Sequence, residues 1–188
     1  MTFLRPIKSW LHSFRNDEGG SITVEAAITL PLLFWAIAAS YEFFEVHRYN
    51  SSRDKATYTI ADIISRELQS VTPTYMDSAK TVFDTISNDE GQNSVRVTIV
   101  KYDLEENEYS VKWSQVRGTS DLVPMVTDDV RTAYDTLPNM ADGEELIIVD
   151  SSSHYPPLFN VGMNDDINVT TRVVTSPRFA PQINWENS

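Results

Sequence analysis

Cysteine is absent from this chain of 188 residues, which removes disulfides, thiolate zinc sites, iron–sulfur ligation and cysteine nucleophiles together. Glycine is scarce. The six glycines are dispersed, so no glycine-rich phosphate loop exists, and no nucleophile elbow surrounds the run Ser151-Ser152-Ser153 before His154. The three histidines, His12, His47 and His154, are scattered, and none stands in a metal-binding spacing with another. Positive charge is also in short supply, with 15 Lys and Arg against 27 Asp and Glu and a net charge of −12. A surface field of that sign disfavours nucleic acid as a partner. Asp128-Asp129, Asp165-Asp166 and the acidic stretch 103–108 lack the alternating spacing and glycine of a calcium loop, so a solvated acidic face is expected there. The reading that follows is of a protein with no catalytic residues, no cofactor and no metal, and hence not an enzyme.

What is present is a strong apolar run near the N-terminus. Residues 21–41, SITVEAAITLPLLFWAIAASY, carry Glu25 and the terminal tyrosine as their only ionisable groups. As a helix this run spans about 31 Å, close to the hydrocarbon thickness of a bilayer. A buried core helix is the competing reading, and the basic flank argues against it. Ahead of the run, Phe3, Leu4, Ile7, Trp10, Leu11 and Phe14 fall at helical spacing among Arg5, Lys8, His12 and Arg15. Residues 1–20 thus read as a basic leader, either amphipathic on an anionic leaflet or unstructured.

The length leaves room for one modest domain beyond the run, and the composition, 41% hydrophobic and 11% aromatic, is that of a folded one. Tyr49, Ala56, Ile60, Ile63, Ile64, Leu68 and Val71 continue a helical stripe over residues 42–72, to be ended by Pro73. Met76, Ala79, Val82, Phe83 and Ile86 predict a second helix closed by the turn at residues 88–91. Alternation then predicts strands over residues 94–102 and 109–116, joined by a long acidic loop, a short helix near 124–134, and strands over 145–150 and 167–175. The tail from Ser176 reads as irregular. The expected fold class is α+β: a long N-terminal transmembrane helix running into a small antiparallel sheet, with residues 73–188 forming the head.

One cluster of residues bears on function. Asp17-Glu18-Gly19-Gly20-Ser21-Ile22-Thr23-Val24-Glu25 leads straight into the apolar run. Glycine offers no side chain to obstruct a protease, and positions 21 and 25 share a helix face. Here the chain resembles a known family. The segment FRNDEGGSITVEAAITLPLLF, residues 14–34, looks like the class III prepilin signal of tight-adherence (Tad/Flp) pilus systems, above all their TadE-like and TadF-like minor pseudopilins. HYPPLFN at 154–160 and RVVTSPRF at 172–179 resemble that family more loosely. The resemblance implies cleavage between Gly20 and Ser21 by a membrane prepilin peptidase, and subunit assembly through Glu25. It also implies a single-pass inner-membrane location with a pilin-like head in the periplasm. The implied partners are other pilus subunits and inner-membrane assembly proteins, and the implied role is in adherence.

An alternative stays open. Ala36-Ile37-Ala38 forms an A-x-A site at the end of an apolar run, and cleavage there releases a soluble periplasmic binding or scaffold protein starting at residue 39. Orientation is not fixed by charge, because Arg5, Lys8 and Arg15 on one flank balance Arg48, Arg53 and Lys55 on the other. Long domains cross regardless of charge, so the leader's character and the resemblance place the leader inside and the head outside.

Overall fold

The computed structural model describes residues 20–88, 92–119, 122–131, 136–159 and 167–187, and of Ser21 the backbone alone. The chain divides into two compact units, one made of the segments 1–44 and 158–163, the other of 45–157 and 164–188.

Helix α1, Gly20–Ser65, is a single run of 46 residues. Pro31 lies inside it and removes one backbone donor, a loss that apolar helices in lipid often carry. Its first half belongs to the first unit. There Ile22, Ile28, Leu33, Trp35 and Ile37 are all exposed, and none of the most apolar window is buried.

The second unit is an α+β fold around a four-stranded antiparallel sheet. Strands β1 (Asn93–Asp103), β2 (Glu108–Gly118), β3 (Glu145–Tyr155) and β4 (Ile167–Thr175) lie in the order β2-β1-β3-β4. The β1–β2 hairpin closes over residues 104–107, a tighter turn than the acidic loop expected, because Asp103 accepts bonds from the amides of Glu105 and Glu106 and Asn107 takes a positive φ of 51°. Ile99 opposes Trp113 while Val100 opposes Val111, so Lys112 is the extra residue of a bulge. At the other end Gly118 has φ +121°, and a Cβ there would lie 2.0 Å from the carbonyl oxygen of Asn93, so the strand end requires glycine.

One sheet face carries Val95, Val97, Ile99, Ile147, Val149 and Val173. They form a core with Ala56, Ile60 and Ile64 of α1 and with Met76, Ala79 and Phe83 of helix α2, Pro73–Ser87. Of the stripe read from the sequence, Ala56, Ile60, Ile64 and Val71 are buried, Tyr49 is half-buried and Ile63 is exposed. Helix α1 ends at Ser65, well before Pro73, and Pro73 starts α2 rather than ending α1. Thr72 caps α2 by accepting from the amide of Tyr75, and proline suits the first helical position. Leu68, expected on the stripe, is exposed. The other sheet face is half apolar. Val100, Tyr102, Leu146 and Ile148 form a second core with Met125, Val130 and Leu137, on and around the short helix α3, Thr127–Arg131.

Strand β3 runs through Ser151, Ser152 and Ser153 to Tyr155, longer than alternation predicts. It is central, paired on both sides, and Ser151 Oγ lies 2.7 Å from Thr57 Oγ1, so the polarity of Ser151 is met inside the core, whereas the buried Ser153 hydroxyl has no hydrogen-bond partner among the described residues. The irregular tail is strapped down. Val71 donates to Asn184 O, Glu186 to Val71 O, Arg178 to Ser65 O and the Trp113 indole to Ile183 O. The buried Glu145 takes the Ile183 amide at 2.9 Å and the Lys112 ammonium at 2.6 Å.

Candidate functional site

Two places bring polar groups together in ways the fold alone does not demand. The first is the start of α1. Gly20 is its first residue, Ser21 lies in the first turn, and Glu25 is exposed one turn on. A Cβ at residue 20 would meet nothing within 4 Å, so packing does not require glycine there, unlike at Gly118. The helix passes unbroken through Ala38. Residues 1–19 of the expected leader, residues 1–20, lie outside the described residues.

The second place is a cavity of about 300 Å³ on the polar half of the outer sheet face, lined by Arg96, Leu122, Asp150, Ser151, Thr170, Thr171 and Arg172. Register builds it, since Arg96 faces Asp150 across β1–β3 and Asp150 faces Arg172 across β3–β4. Asp150 Oδ2 accepts from Arg96 Nε and Nη2 at 3.0 and 2.8 Å, and Oδ1 accepts from Arg172 Nε at 2.6 Å. Arg96 Nη1 also donates to Val123 O at 2.7 Å, which ties the loop after β2 to the sheet. The Asp150 side chain is 8% exposed and that of Arg172 is 42% exposed, so one guanidinium stands at the cavity's mouth. Both carboxylate oxygens are already engaged by guanidinium donors. The Ser151 hydroxyl is shared with Thr57, so serine and aspartate are not arranged as nucleophile and base.

The other acidic residues read from the sequence are spent locally. Asp129 accepts from the Val126 amide at the start of α3, and Asp128 pairs with Arg131. Asp165-Asp166 and His12 lie outside the described residues. His47 is on α1 and His154 on β3. Among the described residues no three His, Asp or Glu side chains form a group able to hold a metal ion. The sequence reading missed Asp150 and its arginines. Their one signal was charge within otherwise apolar strands, at positions alternating with the core valines.

Compared with known proteins, the chain has no match among family models, curated proteins or solved structures. What is established is the coarse class, an α+β head behind one helix long and apolar enough to cross a membrane.

Proposed function

We propose that this protein is a single-pass membrane pseudopilin of the tight-adherence type, cleaved between Gly20 and Ser21 and held in the bacterial inner membrane by residues 21–41. Its head lies on the periplasmic side, and its work is binding within pilus assembly. The observation that carries the reading is that residues 22–37 of α1 present large apolar side chains that none of the described residues covers. The glycine at residue 20, which packing does not explain, supports a role for that bond as a protease site. The unbroken helix through Ala38 favours the Gly20 site over release at the A-x-A sequence.

Glu25 takes the assembly role. A carboxylate near one end of a membrane helix is costly, about 2.5–3.5 kcal/mol at the bilayer centre and less toward the interface. Cleavage creates an amine on residue 21 with an ordinary pKa of about 7.7–8.0, mostly cationic at neutral pH. The amine of a neighbouring subunit paired with Glu25 offsets the cost and sets helix register. Intact-mass measurement on protein from the native envelope tests the reading, with a mature chain starting at Ser21 expected. A start at residue 39 would replace it with the released periplasmic protein.

A further inference from the structure

The segment between β3 and β4 begins Pro156-Pro157-Leu158-Phe159, four apolar residues in irregular backbone, with Leu158 69% exposed. In irregular backbone, amides ordinarily turn to water. Here the prolines have none, and the amides of Leu158 and Phe159 both donate to one side chain, to Glu42 Oε1 at 3.1 Å and Oε2 at 3.2 Å. Glu42 is fully buried although its helix neighbours Tyr41, Phe43 and Phe44 are exposed. The Phe159 ring meets Tyr41 edge-on at 6.0 Å. Four consecutive residues therefore show apolar side chains outward and leave no backbone donor in need of water.

That combination is the requirement for non-helical backbone at the edge of hydrocarbon, where an unmet donor costs several kcal/mol. The position agrees. From Ile22, 20 helical residues cover about 30 Å and bring Tyr41–Phe44 to the far boundary of the bilayer, where aromatic rings concentrate.

We propose that Leu158–Phe159 is a second membrane-contacting element, seated in the interfacial layer beside Tyr41, Phe43 and Phe44, and that Glu42 is the positioning residue that makes it lipid-compatible. The proposal rests on the membrane-anchor reading and adds a contact that the anchor alone does not imply. Its partner is the lipid surface, reached through apolar and aromatic groups rather than through charge.

The lack of cysteine makes the test direct, because any introduced cysteine is unique. The full chain carrying Leu158→Cys or Phe44→Cys is labelled with a polarity-sensitive fluorophore and reconstituted in phosphatidylcholine vesicles with nitroxides at the headgroup or mid-chain. Both labels should be quenched at least twofold more by the headgroup nitroxide than in nitroxide-free vesicles. Adding Glu42→Ala should at least halve the quenching at residue 158 and leave that at residue 44 unchanged, and Glu42→Gln, which keeps one acceptor, should fall between. Quenching at 44 without quenching at 158 overturns the proposal and spares the anchor reading; quenching at neither overturns both. Quenching at 158 that is indifferent to Glu42→Ala removes the positioning role. Quenching at 158 that disappears as protein is added at fixed lipid identifies a second copy, not lipid, as the occupant and overturns the proposal.

Discussion

The two halves of α1 obey different rules within one unbroken helix. In residues 22–37 large apolar side chains are exposed at successive positions around the helix, whereas in residues 51–64 buried and exposed positions alternate with helical period. Ile28 is 61% exposed and Ile60 is not exposed at all, though both are isoleucines in the same element. The second half is amphipathic because a sheet covers one face and water the other. Apart from Glu25 and two threonines, the first half is apolar all round, the pattern of a helix whose surroundings are uniform. Helical propensity does not separate the halves; on the proposed reading, the medium each half meets does.

The largest effect expected lies where backbone meets backbone. Gly118→Ala adds left-handed strain and a clash with Asn93 O at 2.0 Å, each costing about 1–3 kcal/mol, so the head should lose most of its stability in denaturant titration. Gly20→Ala, with open space around it, should leave the head's unfolding midpoint unchanged and act on processing alone.

The comparison within α1 is broken or sharpened by a matched pair. Ile60→Ala removes a side chain at the centre of the core and should cost about 2–5 kcal/mol of head stability. Ile28→Ala should not move head unfolding. Equal shifts for the two would show that the halves share one environment.

The ion triad should give a smaller, graded effect. Asp150→Ala leaves the largely buried Arg96 without its counter-charge and should cost about 2–3 kcal/mol, below the full penalty for a buried pair because Arg172 is half exposed. Arg172→Ala should cost under about 1 kcal/mol. Thermal unfolding of the two variants checks the order.

How much of this was legible beforehand depends on the range of the forces involved. The apolar run, the stripe through Ala56, Ile60 and Ile64, the second helix and four strands are periodic features set by neighbours along the chain, and they read correctly. The end of α1 was misplaced because Pro73 serves as a helix starter beside Thr72, and a proline marks either boundary. The extension of β3 through three serines was hidden because serine is a weak strand former, held here by partners on both sides and by Thr57. Nor do Arg96, Asp150 and Arg172, or Glu42 and Phe159, announce themselves in sequence. Each set is assembled by register or chain return across many intervening residues. The glycine and acid at the helix start were legible as a pattern, and their role rests on the resemblance.

A further effect is expected only at high pH. Burial, and then the nearby Glu67 carboxylate, push the Tyr75 hydroxyl up from 10.0 to about 12. The folded state thus favours the neutral phenol. This contribution is complete below pH 10.0 and is lost as pH rises toward about 12, because the unfolded chain ionises first. The difference in urea midpoint between the native chain and Tyr75→Phe should therefore change across that window and stay flat below it.

The claim that one helix lies in two media is tested most directly by a nitroxide scan along α1 of the full chain in bilayers. Single cysteines from residue 22 to 37 and from 51 to 64 are labelled, and collisions with oxygen and with a water-soluble nickel chelate are measured. The account predicts high oxygen and low nickel accessibility throughout residues 22–37 with no helical period. Over residues 51–64 it predicts nickel accessibility rising at 54, 55 and 58 and falling at 56, 57 and 60. Nickel-accessible positions in the first half, or a helical period of protection from both reagents there, would contradict it.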